Sequence, residues 1–179
     1  LMPAAEGLNE AMTDALIDYL LTADNQAEPH SSAPAKSPSY TYNGYPKLLD
    51  NEGFPGCKPP WGTLNCIDLN SGILRWQVPL GEHKVLTERG IPITGTENFG
   101  GSMTTAGGLV FAAGTRDLKI RAFDSATGEE RWSHQLPFGG YAPPASYRAD
   151  GKQYILIPST GGGKLGGEQG DAYVAFTLP

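Results

Sequence analysis

Sulfur and positive charge are scarce in this sequence of 179 residues. It has two cysteines and three methionines, and its 13 lysines and arginines are outnumbered by 19 acidic residues, for a formal net charge of −6. Surfaces that bind nucleic acids are basic, because they must neutralise phosphates. We therefore expect no nucleic acid among the partners of this protein.

A long hydrophobic run is also missing. A membrane-spanning helix needs about 20 consecutive apolar residues, and no segment approaches that length. The first residues, Leu1-Met2-Pro3, are not followed by the basic and apolar regions of a secretory signal. We expect no membrane span in this chain, and either a cytosolic protein or one whose signal lies elsewhere.

Turn-forming residues, in contrast, are plentiful, with 24 glycines and 15 prolines, and they divide the chain into three regions. Residues 1–22 include a short amphipathic α-helix, whose apolar stripe is Leu8, Met12, Leu16, Tyr19 and Leu20. Residues 23–39 are rich in proline, serine and alanine and predict a linker. Residues 40–179 are predicted to be β-structure, since short β-prone runs alternate there with turn residues. The predicted strands are residues 63–69, 73–80, 101–106, 109–115, 119–125, 130–137, 142–147, 153–159 and 172–178.

The same turn motif occurs twice in the β region. The segments NCIDLNSGILRW (65–76) and RAFDSATGEERW (121–132) share aspartate, glycine, arginine and tryptophan at the same offsets. The carboxylates of Asp68 and Asp124 are expected to accept backbone N–H groups, while Gly72 and Gly128 adopt the left-handed conformation. Sheets repeated about every 50 residues stack face to face in a β-propeller. The fold class is therefore mainly β: an incomplete propeller sector of about two to three four-stranded blades, because a closed ring needs about four to eight.

The strand order separates two kinds of connection. In an antiparallel meander, alternate connections fall on the same rim of the sheet. Tight turns collect on one rim, and the longer loops 48–62, 81–99, 115–118, 137–143 and 159–170 collect on the other. Binding groups usually sit on loops that a rigid scaffold holds. The residues that this places together are Trp61, Asn98, Phe99, Gly100, Arg116, Asp117 and Lys164.

Longer segments carry a resemblance to a known family. Residues 59–82, 98–132, 151–163 and 170–179 resemble the C-terminal blades of membrane-type quinoprotein glucose dehydrogenases, which use pyrroloquinoline quinone (PQQ). The resemblance implies a periplasmic enzyme that oxidises an aldose or an alcohol by hydride transfer to PQQ, with Ca²⁺ as a Lewis acid. It also implies that the catalytic aspartate and a PQQ-contacting lysine lie in other blades, so no catalytic residue is expected here. The rest of the propeller would be this chain's partner.

The same resemblance suggests which residues bind the cofactor. Phe99 and Gly100 match an aromatic-glycine pair that lies against the quinone, and Asn98 is the neighbour expected to make a polar contact. Gly163 and Lys164 lie in a glycine-rich loop over the mouth of the site, where glucose-type relatives often carry histidine. Trp61 is a further cofactor-binding candidate. Structural alternatives stay open: Asn98 as a turn residue, Trp61 as a packed strand opener, and Lys164 as a solvated cation.

The first region has a resemblance of its own. Residues 2–21 are similar to the tail of a c-type cytochrome, in which a Met-Pro pair supplies an axial sulfur to the haem iron. Met2 would be that ligand, and electrons would pass through haem c to a quinone or cytochrome acceptor. The matching Cys-x-x-Cys-His motif is absent, so haem is not expected to attach covalently to this chain. The alternative is an ordinary amphipathic helix.

Two further alternatives concern the cysteines and the function. Cys57 and Cys66 either form a disulfide that fixes the loop between them, or remain thiols, with Cys66 in the small buried position that Ala122 takes in the next repeat. The competing function is a non-enzymatic propeller that binds proteins, since tryptophan repeats of this kind also occur in scaffolds. The segment Asn98-Phe99-Gly100-Gly101 favours the enzyme.

Overall fold

The computed structural model describes residues 11, 12, 14, 15, 17, 18 and 40–178. Its contacts divide the chain into two units, residues 1–46 and 47–179. In the first unit the six described residues between 11 and 18 are helical, which agrees with the predicted helix. Met2 and the predicted linker lie outside the described residues.

The second unit consists of three antiparallel sheets formed by nine strands. The first sheet pairs β1 with β2, the second has the order β3-β4-β5-β6, and the third has the order β7-β8-β9. The strands are Thr63–Ile67, Leu74–Pro79, Ser102–Thr104, Leu109–Ala112, Lys119–Asp124, Glu130–Gln135, Ala145–Ala149, Lys152–Gly161 and Gln169–Thr177. Each overlaps a predicted strand, so the mainly β fold is confirmed. Helix α1, Lys84–Glu88, and a 3₁₀ turn, Gly163–Leu165, were not predicted, and both lie inside the long loops.

The two inner strands of the middle sheet, β4 and β5, are buried on both of their faces. Alternate residues of a strand point to opposite faces. One face contributes Val110, Ala112 and Phe123 to a cluster with Leu80, which belongs to the loop after β2. The other face contributes Phe111, Ile120 and Ala122 to a cluster with Ile155 and Ile157 of β8. Three successive sheets therefore share two cores, which is the stacking expected of a propeller sector.

Both repeated turns have the predicted hydrogen bonds. Oδ1 of Asp68 accepts the N–H groups of Asn70 and Ser71 at 3.0 and 3.3 Å. Oδ1 of Asp124 accepts those of Ala126 and Thr127 at 2.9 and 3.1 Å. The glycines that close the turns, Gly72 and Gly128, have φ of 70° and 76°. In both turns the second carboxylate oxygen binds the arginine seven residues on, Arg75 at 2.7 Å and Arg131 at 3.2 Å.

The two tryptophans connect each sheet to the next. Trp76 donates its indole N–H to the Ser125 carbonyl at 3.0 Å, and its ring lies against Gly128, so it docks on the repeated turn of the second sheet. Trp132 instead packs edge-on against Phe176 of the third sheet, with ring centroids 5.0 Å apart. Trp132 keeps 37% of its surface exposed. Each tryptophan thus contacts the sheet that follows its own, but Trp76 contacts a turn and Trp132 contacts a strand residue.

The two cysteines are thiols. Cys57 is exposed and Cys66 is half-buried, and no disulfide joins them. The structure therefore supports the second of the two cysteine alternatives. None of the described helices is long and apolar enough to cross a membrane.

Candidate functional site

The connections between strands separate into two rims as the strand order requires. The tight turns meet where the Ser125 amide donates to the Gly108 carbonyl at 2.9 Å. The long loops meet through other bonds: the Arg116 amide donates to Oγ1 of Thr96 at 3.1 Å, and the Thr160 amide donates to the Gly139 carbonyl at 3.1 Å. We call this second edge the loop rim, made of residues 48–62, 81–99, 115–118, 137–143 and 159–170.

The start of β3 is held against the end of β4. The Asn98 side chain donates to the Ala113 carbonyl at 2.7 Å, and the Phe99 amide donates to the Gly114 carbonyl at 3.0 Å. A side chain at Gly100 would lie 2.9 Å from the Ala113 carbonyl oxygen, so this close approach requires glycine. Asn98 thus has the turn role that the sequence left open, while the Phe99 ring remains 45% exposed on the loop rim.

The glycine-rich loop of the third sheet reaches the Phe99 ring. The ammonium of Lys164 lies 5.5 Å from the centroid of that ring, within cation–π distance. Gly162 and Gly163 have φ of 68° and 65°, so the loop takes left-handed conformations that other residues rarely adopt. Nothing approaches within 4 Å of a side chain placed at Gly163. Four of the six candidate residues, Phe99, Gly100, Gly163 and Lys164, therefore belong to one exposed region.

Arg116 connects this region to its surroundings. Its guanidinium makes two contacts with the Glu97 carboxylate, one from Nε and one from Nη2 at 3.3 Å, and its Nη1 donates to the Leu165 carbonyl at 3.4 Å. Lys47 approaches the same carboxylate at 3.5 Å. The hydrogen bond from Arg116 holds the pKa of Glu97 below its ordinary value, against the opposing effect of burial. Glu97 is therefore an anion at neutral pH and balances one of two neighbouring cations.

Asp117 and Arg121 form a buried ion pair next to it. Their side chains are 9% and 6% exposed. The Asp117 carboxylate also accepts the Thr115 hydroxyl at 2.5 Å and the Glu82 amide at 2.9 Å, so it links the middle sheet to the loop after the first. Burial raises the pKa of Asp117, but Arg121 and Thr115 outweigh this and leave it below its ordinary value. The pair fixes the 115–118 loop that presents Arg116.

Trp61 lies in a separate aromatic cluster on the loop rim. Its ring stacks on Phe54 with centroids 6.1 Å apart and meets the His83 ring edge-on at 5.4 Å, and its indole N–H donates to the Cys57 carbonyl at 2.7 Å. These contacts match the packed alternative for Trp61. The structure does not bring Trp61 into contact with Phe99 or Lys164.

Sequence reasoning missed His83, which had no partner at metal-binding spacing. Its Nε2 is buried and has no hydrogen-bond partner among the described residues. Burial lowers its pKa, and the nearby charge of Arg116 lowers it further. Two adjoining cavities of about 330 and 410 Å³ share Phe54, His83 and Arg116 in their walls. The only sequence feature that indicated a place for His83 in the site was its position in a long loop.

No metal site is built by this part of the chain. Among residues 40–178 and the described helical residues, no three histidine, cysteine, aspartate or glutamate side chains converge on one point. What the loop rim offers instead is an exposed aromatic ring with the Lys164 ammonium 5.5 Å from its centroid.

The stacked four-stranded meander, the docked tryptophans and the loop rim define a section of a β-propeller. A family model described as the glucose/ethanol/alcohol dehydrogenase β-propeller domain, of the PQQ type, matches residues 9–155. The chain belongs to this family of quinoprotein dehydrogenase propellers, as its sequence motifs indicated.

Individual relatives support the assignment. The chain is 42% identical to a probable quinate dehydrogenase (quinone) of Xanthomonas campestris pv. juglandis, over 83% of this chain and 19% of that protein. It is 35% identical to the quinoprotein glucose dehydrogenase of Escherichia coli (strain K12), over 74% of this chain and 17% of that protein. The crystal structure of quinohemoprotein alcohol dehydrogenase from Comamonas testosteroni matches with a TM-score of 0.50 and 30% identity, over 71% of this chain and 18% of the other. The chain thus spans about a fifth of the length of these relatives.

Proposed function

We propose that this chain is a section of a PQQ-dependent dehydrogenase that oxidises a CH–OH group of an aldose, an alcohol or a cyclic polyol such as quinate. The observation that carries the proposal is the exposed Phe99 ring beneath Lys164, on the loop rim of a propeller from the quinoprotein family. The relatives named above act on quinate, glucose and alcohols, which supports this range of substrates without choosing among them.

The residues of the loop rim fit the cofactor. PQQ is a flat aromatic quinone with carboxylates, and it supplies two-electron chemistry by accepting hydride when it is bound. The exposed face of Phe99 would lie against it, with the exposed backbone of Gly100 beside the ring and Asn98 offering its second amide hydrogen. Lys164 and Gly163 would cover it, and Trp61 would contribute from the neighbouring aromatic cluster. Ca²⁺ and the catalytic aspartate would come from other blades.

Electron transfer completes the proposal. We expect a haem c domain, with Met2 as an axial ligand of its iron, to receive electrons and pass them to a quinone or cytochrome acceptor. The reaction is expected in the periplasm, outside the cytoplasmic membrane. The cytochrome domain and the remaining blades are thus this chain's own covalent partners.

The proposal is tested with the full-length protein, prepared without cofactor and then loaded with PQQ and Ca²⁺. We expect PQQ-dependent reduction of an artificial acceptor with D-glucose, quinate or ethanol. The variant Phe99→Ala should weaken PQQ binding by about two- to tenfold, because a stacked aromatic contact contributes about 0.5–1.5 kcal/mol. Tyr173→Ala is the matched control, since Tyr173 is 70% exposed on β9, away from the loop rim.

Two results would contradict the proposal. The first is a full-length protein that binds no PQQ and oxidises none of these compounds, which would favour a protein-binding scaffold. The second is a PQQ dissociation constant that Phe99→Ala and Tyr173→Ala leave equally unchanged, which would remove Phe99 from the cofactor site.

A further inference from the structure

We propose that Arg116 is a positioning residue, which holds the strand start carrying Phe99 and the loop carrying Lys164 at a fixed separation. The importance of that separation rests on the proposed cofactor site, although the positioning itself can be measured without any cofactor. Arg116 contacts neither Phe99 nor Lys164 in this structure, so its effect on them is indirect.

The contacts of Arg116 fall next to both segments. Glu97, which receives Nε and Nη2, immediately precedes Asn98 and Phe99 in the chain. Leu165, whose carbonyl accepts Nη1 at 3.4 Å, immediately follows Lys164. The backbone of Arg116 is itself fixed, because its amide donates to Oγ1 of Thr96, which is fully buried. The guanidinium is carried by the 115–118 loop of the second sheet. It contacts the loop between the first and second sheets at Glu97 and the loop of the third sheet at Leu165.

The glycine-rich loop needs such an anchor. Five of its residues, Gly161, Gly162, Gly163, Gly166 and Gly167, have φ between 61° and 92°. Glycine backbones lose more conformational freedom on ordering than any other residue, and they offer no side chains for packing. Besides the contact of Lys164 with Phe99, two side chains anchor the loop tip: Arg116 donates to the Leu165 carbonyl, and the Tyr141 hydroxyl donates to the Gly166 carbonyl at 3.4 Å.

Arginine suits this position better than lysine. A guanidinium presents five N–H donors in a rigid plane, so it can bind a carboxylate with two of them and a carbonyl with a third. The ammonium of Lys47 illustrates the difference, because its ion pair is with Glu97 at 3.5 Å and does not join a second loop. The Arg116 side chain is 33% exposed, so water competes only partly for its donors.

The experiment measures amide hydrogen exchange in the full-length protein, without and with PQQ, for wild type, Arg116→Gln and Arg116→Lys. The matched control is Arg89→Gln, which breaks an ion pair with Glu52 at 2.6 Å elsewhere on the loop rim. We expect Arg116→Gln to speed exchange of residues 161–168 about tenfold, the factor that corresponds to losing about 1.4 kcal/mol. Arg116→Lys should protect this loop poorly, since one ammonium cannot span both segments. The dissociation constant of PQQ should rise in parallel, while Arg89→Gln changes neither quantity.

The possible failures are distinguishable. If exchange of residues 161–168 in Arg116→Gln equals that of wild type, Arg116 positions nothing and the inference is overturned. If exchange rises throughout the β region and the melting temperature falls, Arg116 has only a general stabilising role, which also overturns it. If the loop alone exchanges faster but even the wild type binds no PQQ, the positioning stands and the proposed function fails.

Discussion

Three aspartates organise turns and loops of this protein through their hydrogen bonds. Asp68 and Asp124 each organise a turn through backbone hydrogen bonds and an arginine. Asp117 does the same at a buried position, where its carboxylate is bound by Arg121. A buried charge that loses its partner costs much more than an exposed one, because it remains desolvated. The Asp117–Arg121 pair is therefore where a single substitution is expected to matter most.

Asp117→Asn tests the buried pair and its dependence on pH. Removing the carboxylate leaves Arg121 buried with less compensation, so unfolding at pH 7 should require about 3 kcal/mol less free energy. The pKa of Asp117 is lower in the folded chain than the value of about 3.9 in an unfolded one. The stabilisation by the ionised carboxylate is therefore complete above about pH 4 and is lost as pH falls through the folded pKa.

Urea unfolding between pH 3 and pH 7 measures this effect. The difference between wild type and Asp117→Asn should be constant from pH 7 to pH 5 and shrink below about pH 4. Asp171→Asn, at an exposed position of β9, should change stability little at any pH. A difference of equal size at pH 3 and pH 7 would show that the charge of Asp117 does not stabilise the fold.

At the scale of strands and turns, the sequence was most informative where the signal was local. All nine strands and both Asp–Gly turns could be predicted, because alternation and turn chemistry depend on neighbouring residues. The contacts that assemble the loop rim could not be predicted. Arg116 meets Leu165, and Trp61 meets Phe54 and His83, through loops whose paths no periodic pattern encodes. The sequence therefore predicted which residues lie on the loop rim, but not which of them touch.

The docking of one sheet on the next turn can be tested with two equivalent glycines. Gly72 and Gly128 have nearly the same φ, 70° and 76°. An added Cβ at Gly72 meets nothing within 4 Å, whereas at Gly128 it lies 2.7 Å from the Trp76 ring. Gly72→Ala should cost about 1 kcal/mol from left-handed strain alone. Gly128→Ala should cost about 1–3 kcal/mol more, because the overpacked ring must move.

Thermal and urea unfolding of both variants measures the difference, and a double variant assigns its cause. In a Trp76→Ala background the ring is gone, so most of the extra cost of Gly128→Ala should disappear, and only the contact with Val78 Cγ1 at 3.1 Å should remain. Equal costs for the two glycine substitutions in the wild-type background would show that Trp76 does not dock on the turn of the second sheet.

At the scale of the whole molecule, the number of strands in the described residues corresponds to part of a propeller ring. In the part of the chain that the structure describes, the sheets have two, four and three strands, and strands β4 and β5 of the middle sheet pack against both neighbouring sheets. Rings of this fold have about four to eight blades of four strands. The relatives are about five times as long as this chain, so they are long enough to form such a ring. A cofactor site on the axis of the ring would then be shared among blades, and we expect this chain to hold only one side of it.

The 179-residue chain alone is therefore expected to be inactive. It should bind PQQ at least about 100-fold more weakly than the full-length protein, since losing about 2.8 kcal/mol of contacts from the other blades has that effect. Equilibrium dialysis of both proteins against PQQ with Ca²⁺ measures the ratio, and an acceptor-reduction assay measures turnover. The Phe99→Ala substitution should weaken any PQQ binding that the isolated chain retains. Such weakening would show that this residual binding occurs at the proposed cofactor site. Turnover by the isolated chain, or equal affinities for PQQ, would show that the cofactor site is complete within these three sheets and not shared around a ring.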